Sequence, residues 1–357
     1  MCDLICRLTQ SLWQYIEDRE VEMQHGMSRF NTRRYRDLSE YHEYWRRLIR
    51  NVAQAQAGNI LSPGWAFSTY SGIGTYETYL ASDTRMRSLY EDGMGGVSLV
   101  INQAVEKIRD TVQPEALARP LGGVMVYGYG KLKREKRWLD KLLQNGLLNK
   151  RSRIYLLDCS ILYQQIYARS LFNPLMEKFS NNSIRTEIIN IFDEPAQTEA
   201  TLKAIREDLN PYRPAIHFLL GNTVSNVTPL MLQRLITTCV RPRDFVVVEY
   251  SQYDEDFFKK PQPDYTSIMA RRAAAELFSV SEDNIQTVDK VEDQWRYLEI
   301  KVNIGAAHLT FNSMLRRNFV VDEMTQLRNA HQYSLVCSEE TVNGVHVAVF
   351  RCSALVP

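Results

Sequence analysis

The chain lacks an excess of charge of either sign. Lysine and arginine number 43 against 42 acidic residues among 357. Such balance offers no broad field to draw in nucleic acid or an anionic membrane, so neither is expected as a partner. No apolar run approaches the roughly 20 residues that a bilayer crossing needs. The first residues, Met1-Cys-Asp-Leu-Ile-Cys6, give way at once to charged helical patterning, unlike a signal peptide. The six cysteines, at 2, 6, 159, 239, 337 and 352, form no C-x-x-C pair, and the six histidines contain no H-E-x-x-H. That argues against structural zinc, a metal site and a disulfide framework, and it suits a reducing cytoplasm. There is no G-K-S/T phosphate loop, and no internal repeat or low-complexity tract.

What is present is a change of pattern near residue 120. Residues 1–57 read as helical, charged and rich in aromatics. Residues 58–75 read as a structured loop, with Gly58, Pro63, Gly64, Gly72 and Gly74 among Trp65, Phe67 and Tyr70. A second helical stretch covers about 76–116 with a break at Gly93–Gly96, and Pro114 and Pro120 mark a boundary. From 121 strand and helix patterns alternate. Strands are expected at Gly123–Tyr127, Arg153–Leu157, Thr186–Phe192, Ile216–Leu220 and Asp244–Val248. Helices are expected at Lys131–Gln144, Ser160–Phe179, Ala196–Leu209 and Pro229–Cys239. Strict alternation implies a parallel sheet with helices on both faces. Further on, Arg296–Val302 and His308–Phe311 look like strands, Asp322–Ala330 like a helix, and Tyr333–Glu339 with His346–Cys352 like a hairpin around Asn343-Gly344.

Ligands of such sheets bind at the carboxyl ends of the strands. Gly128 and Gly130 follow the first strand, where they leave room for a ligand at a helix N-terminus. Asp158 closes the second, placed to accept hydrogen bonds from ribose hydroxyls. Phe192 and Asp193 close the third, where adenine often sits. After the fourth comes Gly221-Asn-Thr-Val-Ser-Asn226, a turn dense in amide and hydroxyl groups, with Thr228 before Pro229 as a helix cap. Buried without a ligand, so many polar groups are costly.

Five α/β units followed by a helix and an antiparallel hairpin look like class I S-adenosylmethionine-dependent methyltransferases. The chain resembles, more narrowly, the histidine-specific family whose founding activity trimethylates histidine for ergothioneine. The resemblance covers roughly 121–355. It is carried by Leu219-Leu-Gly-Asn-Thr-Val-Ser-Asn226, similar to the family's L-G-S/G-T-I-G-N, and by Asp322 to Glu339. It implies an α/β fold: a Rossmann-like class I methyltransferase sheet with a C-terminal antiparallel hairpin and an N-terminal helical lid. The implied domains are a lid and substrate region at 1–120 and a cofactor domain at 121–357. S-adenosylmethionine is the implied cofactor, held by Gly128, Gly130, Asp158, Phe192, Asp193, Gly221 and Asn222. Asn226 and Tyr76 are the expected catalytic residues. Trp65, Tyr70, Tyr79 and Ser225 are expected on the substrate side, where aromatic faces would stabilise a sulfonium.

Two departures stand out. Val126 occupies the place of an acidic residue in the family's first strand, which bears on how the methionine end is held. No Glu occurs near Met314–Arg316, where the family binds histidine, so a different small molecule is expected. The readings left open are a methyltransferase of an amino-acid-like metabolite, a cyclase forming azetidine-2-carboxylate with methylthioadenosine, and a non-catalytic nucleoside-binding protein. Oligomeric state is not legible.

Overall fold

The computed structural model describes residues 48–49, 51–52, 60–82, 96–112, 121–130, 133–160, 175, 177–180, 183–189, 195–221, 223–252, 256, 258, 265–292, 295–327, 331–341 and 344–354. In chain order the elements are β1 (Ile60–Leu61), α1 (Tyr70–Ser82), α2 (Gly96–Val112), β2 (Gly123–Tyr127), α3 (Lys133–Gln144), β3 (Arg153–Asp158), β4 (Ile184–Ile188), α4 (Pro195–Asp208), β5 (Ala215–Leu219), α5 (Pro229–Cys239), β6 (Phe245–Ser251), α6 (Tyr265–Phe278), β7 (Ile285–Glu292), β8 (Trp295–Ile304), β9 (Ala307–Arg317), α7 (Asp322–Thr325), β10 (His331–Glu340) and β11 (Val345–Ala354). They fall into two compact units. One comprises residues 1–79 and 259–315, the other 80–258 and 316–357. The expected boundary at 120 coincides with none of the three junctions, at 79/80, 258/259 and 315/316. Helix α2 belongs with the larger unit because Val100, Ile101, Ala104, Val105 and Ile108 are buried in its core.

The larger unit holds a seven-stranded sheet ordered β10-β11-β6-β5-β2-β3-β4. Strands β2 to β6 run parallel, whereas β11 is antiparallel to β6 and β10 antiparallel to β11. This is the Rossmann-like class I sheet with its terminal hairpin. Alternation along each strand sorts the core into two faces, as the period of two requires. Val124, Val126, Ile154, Leu156, Ile216, Phe218, Phe245 and Val247 meet Trp138, Leu139 and Leu142 of α3. Met125, Tyr127, Tyr155, Leu157, Val246 and Val248 meet Leu202 and Ile205 of α4 and Leu232, Leu235 and Ile236 of α5. Strands buried on both faces read as continuous apolar runs, which is why β2, β5 and β6 were legible.

Within the second face lies a buried polar chain. The Tyr127 hydroxyl is 2.9 Å from His217 Nδ1, and His217 Nε2 is 3.2 Å from Asp244 Oδ2. Asp244 also accepts from the N–H groups of Ala215 (2.8 Å) and Arg241 (2.9 Å). With Nε2–H donating to the carboxylate, Nδ1 accepts the Tyr127 proton. Burial pushes the Asp244 carboxyl up, but His217, Arg241 and the Ala215 N–H together hold it below its usual range. The chain thus ties β2 and β5 to the entry of β6 without an unmatched charge.

The smaller unit carries a four-stranded sheet ordered β1-β9-β8-β7. Here several expectations change. The segments 296–302 and 308–311 are strands as expected, and as β8 and β9 they build this separate sheet. Helix α6 and strand β7 had no counterpart in the sequence reading. The loop expected over 58–75 gives way to helix at Tyr70. Its first amides are capped from afar, since Tyr70 N–H and Ser71 N–H donate to the Glu276 carboxylate at 3.0 and 2.6 Å. Gly72 is required because a Cβ there would lie 2.0 Å from Ala66 O. Strand β4 starts two residues earlier than expected and ends at Ile188. Only Asp322–Thr325 is helical in the segment expected at 322–330, of which 328–330 lie outside the described residues. Most of the expected helix at 160–179 and of the helical stretch at 1–57 also lies outside them.

Candidate functional site

Strand β2 pairs with β3 on one side and β5 on the other. The winding therefore reverses between these neighbours, and the crevice at their carboxyl ends is where a doubly wound sheet receives its ligand. Three chain segments of the larger unit converge there.

The first follows β2. Gly128 and Gly130 adopt φ of 68° and 45°, the left-handed region that favours glycine. A Cβ on Gly130 would meet nothing within 4 Å, and one on Gly128 only Thr223 Oγ1 at 3.6 Å. Space is thus open beside this turn. The second is the end of β3. Asp158 is buried, and its carboxylate accepts the backbone N–H groups of Gly130 (Oδ2, 3.0 Å) and Ser160 (Oδ1, 2.8 Å), with Cys159 hydrogen-bonded to it as well. Burial pushes its pKa up, and these N–H groups pull it back. A carboxylate oxygen has further acceptor capacity, so Asp158 can brace the glycine turn and still receive a hydroxyl.

The third follows β5. Gly221 turns with φ of 67°. Thr223–Asn226 form a 3₁₀ turn, then Thr228 caps α5 by accepting Met231 N–H at 3.2 Å with Pro229 at the first position. The cap expected from Thr228-Pro229 is therefore present. Asn226 Oδ1 accepts from Arg316, and Ser225 is 0% exposed with a hydroxyl that has no partner among the described residues.

Charge at this edge comes from residues that the sequence reading passed over. Glu249 on β6 is paired with Arg134 of α3, and Gly221 N–H approaches its other oxygen at 3.5 Å. Although it lies in the basic run Lys131–Arg137, Arg134 is largely buried in that pair. Glu135 is 5% exposed. Burial drives its pKa to about 8; its own backbone N–H and Arg134 lower it, while Glu249 and Asp158 raise it further. At neutral pH Glu135 therefore carries its proton. In the sequence Glu249 follows the apolar run Phe245–Val248 as Asp158 follows Ile154–Leu157, and that was the available signal.

A groove of about 510 Å³ lies at the opposite, amino-terminal edge, lined by Gly122, Ser152, Arg153, Asp208, Tyr212 and Arg213 among others. It is remote from the strand ends described above.

No protein-family model matches the sequence, and no curated protein does. Solved structures are similar at low identity. One is the CurJ carbon methyltransferase, at 12% identity and a TM-score of 0.40, covering 76% of this chain and 59% of that one. Another is the plantazolicin methyltransferase BpumL in complex with SAH, at 8% identity and 0.37, covering 85% and 98%. A third is an S-adenosylmethionine-dependent methyltransferase from Clostridium acetobutylicum, at 9% and 0.35, covering 70% and 91%. Likeness at this level says nothing of substrate or residue roles.

The predicted site residues divide as follows. Gly128, Gly130, Asp158, Gly221, Ser225 and Asn226 all belong to the larger unit and to the strand ends just described. Phe192, Asp193 and Asn222 lie outside the described residues. Trp65, Tyr70, Tyr76 and Tyr79 belong to the smaller unit. Trp65 is a core residue there: it is 1% exposed, its indole N–H donates to Ser313 Oγ at 2.9 Å, and its ring meets Phe311 edge-on. That packing removes it from the expected ligand-facing set. Tyr79 stacks on Tyr265 with centroids 3.6 Å apart, and Tyr76 meets Phe67 edge-on at 5.1 Å. Among the described residues no group of His, Cys, Asp or Glu could hold a metal ion, and no helix is long and apolar enough to cross a membrane.

Proposed function

We propose that the protein is an S-adenosylmethionine-dependent transferase that methylates a small amino-acid-like metabolite other than histidine. The observation that carries this reading is the bond between Gly130 N–H and Asp158 at the switch point. It joins an open glycine turn to a buried carboxylate, the pairing a nucleoside needs: room beside the backbone and an acceptor for hydroxyls. The residues present fit such a group. The left-handed glycines leave space that a Cβ would enter, Asp158 keeps acceptor capacity, and the Ser225 hydroxyl is buried without a partner.

Bound there, S-adenosylmethionine would supply a methyl carbon on a positively charged sulfur that departs as a neutral thioether. Gly128 and Gly130 would hold the nucleoside against β2, and Asp158 would accept from the ribose. Gly221 would let the turn after β5 pass close by. Asn226 and Ser225 would orient the reacting partner. Val126 supplies no charge to a methionine end, so that role would fall to the polar groups after β5. Such a transfer is an in-line displacement. The protein's part is to position two groups at about 3–3.5 Å and to exclude water.

The test is incubation of the full chain with S-adenosylmethionine and a panel of amino acids and related amines, with the nucleoside product identified. S-adenosylhomocysteine formed only with a particular acceptor is expected. Methylthioadenosine instead would assign the cofactor to cleavage of a different carbon–sulfur bond. Neither product, together with no binding of S-adenosylhomocysteine, would overturn the reading.

A further inference from the structure

Three carboxyl groups are buried at the ligand end of the larger sheet. Asp158 and Glu135 are each 5% exposed, and Glu249 is 2% exposed. They come from three elements. Asp158 ends β3, Glu249 lies on β6, and Glu135 sits in the first turn of α3, just past the glycine turn. Asp158 and Glu249 both act on Glu135 through space, so the three form one cluster.

The cluster holds more acid than base. Among the described residues the cation that acts on Glu135 is Arg134, and Arg134 is paired with Glu249. The other partners are neutral donors. N–H groups of Gly130 and Ser160 serve Asp158, Gly221 N–H approaches Glu249, and Glu135 meets its own backbone N–H. One guanidinium cannot balance three carboxylates in a place largely closed to water. Asp158 is held by its N–H groups and Glu249 by the guanidinium, which leaves Glu135 to keep its proton. Burial opposes its ionised form most, its own N–H and Arg134 favour that form, and Glu249 and Asp158 oppose it.

A positive charge arriving at this edge changes the balance. It supplies the missing countercharge and favours the ionised form of a neighbouring carboxyl. A neutral ligand of the same shape does not. S-adenosylmethionine and S-adenosylhomocysteine differ in this respect, since one carries a sulfonium and the other a thioether.

We infer that Glu135 is a specificity-determining residue, which distinguishes the cationic methyl donor from its neutral product by giving up its proton when the sulfonium binds. The inference rests on the nucleoside-sulfonium reading above. The proton passes to solvent on binding and returns to Glu135 once the ligand is neutral. The site therefore holds the donor and loosens on the spent thioether.

The experiment is calorimetric titration of the full chain with each nucleoside, in buffers of different ionisation enthalpy, which counts protons released. At pH 7 S-adenosylmethionine should release a large part of one proton beyond any that S-adenosylhomocysteine releases. The ratio of the two affinities should rise with pH by up to about tenfold per unit, levelling off above about pH 8. In Glu135→Gln, which keeps the shape and stays neutral, the extra proton and the slope of the ratio should both vanish. Titration of the ligands' own groups is common to both proteins and cancels in that comparison. An extra proton that persists in Glu135→Gln overturns the role of Glu135 and leaves the nucleoside reading intact. Equal proton release by the two nucleosides in wild type, or a ratio that does not change with pH, does the same without any variant. A wild type that binds neither nucleoside overturns both.

Discussion

Gly130 and Asp158, 28 residues apart, are joined by a 3.0 Å hydrogen bond from a backbone N–H to a carboxylate oxygen. The glycine turn and the end of the neighbouring strand are therefore a single braced element. Its conformation does not depend on packing alone.

Replacing Gly130 by Ala tests what the open space beside it is for. No atom lies within 4 Å of the added Cβ, so the cost to folding is the left-handed backbone alone, about 1–2 kcal/mol. Affinity for S-adenosylhomocysteine should fall by much more than that penalty implies, because the methyl enters the space assigned to the nucleoside. Calorimetry alongside denaturant melts separates the two. Equal losses in both would argue that the space is merely solvent.

Glu135 makes stability fall with rising pH. Its carboxyl has an ordinary pKa near 4.5 and one of about 8 in the fold. Between those values the native state binds more protons than the unfolded chain. Its contribution is fully present below pH 4.5, is lost progressively up to about 8 and is flat above. Glu135→Gln, which stays neutral, should lose that slope and be the more stable protein at pH 8. Urea midpoints at pH 5, 6, 7 and 8 check this. Parallel pH profiles for the two proteins would exclude a protonated Glu135.

Arg134→Met should strand the Glu249 carboxylate, costing roughly 3–5 kcal/mol. Adding Glu249→Gln should recover much of that loss, because the uncompensated charge is gone. The Glu135 carboxyl should also move upward in the single variant, since Arg134 now lowers it. No recovery in the double variant would place the stabilising role of Arg134 elsewhere.

Tyr127→Phe removes the proton that His217 Nδ1 accepts and leaves a buried acceptor unmatched, at about 1–3 kcal/mol. Because this chain of groups sits in the interior, nucleoside affinity should be unchanged. Asp244 adds an acid-side effect. Its folded carboxyl is depressed, so its contribution is present above the unfolded value of ~3.9 and is lost only as pH falls below it. Denaturant melts from pH 3 to 7 would show both effects. A Tyr127→Phe protein as stable as wild type would mean that His217 finds another donor.

Much of the larger unit was readable because its strands are uniformly apolar and its helices carry clear boundaries. Gly123–Tyr127 and Pro229–Cys239 match in both termini, the second because Thr228-Pro229 marks its start. The smaller unit was readable only in part: β8 and β9 were expected at Arg296–Val302 and His308–Phe311, whereas β7 and α6 were not. Its strands β7 and β8 alternate apolar with charged residues, as in Trp295–Ile304, and nothing local says that Ile60–Leu61 pairs with Asn312–Ser313. Trp65 illustrates the same limit for the site: an aromatic in a glycine-rich loop looks exposed until a partner far along the chain covers it. Arg134 and Glu135 were hidden by composition. Amid seven residues of which five are basic, position on the helix, not charge, decides which side chains turn inward.

The bond between Trp65 and Ser313 spans 248 residues. During synthesis, the segment that carries β1 emerges long before the β9 strand it must pair with. Closing a loop of that length costs about 5 kcal/mol in chain entropy, and contacts that offset it, such as the Glu276 cap on Tyr70 and Ser71, become available only when α6 has been made. The larger unit faces a milder version of the delay, since β2 to β6 can assemble while β10 and β11 are still to come. Nascent chains should therefore gain order in the central strands β2 to β6 first, with Ile60–Tyr79 finding their partners late despite being made early.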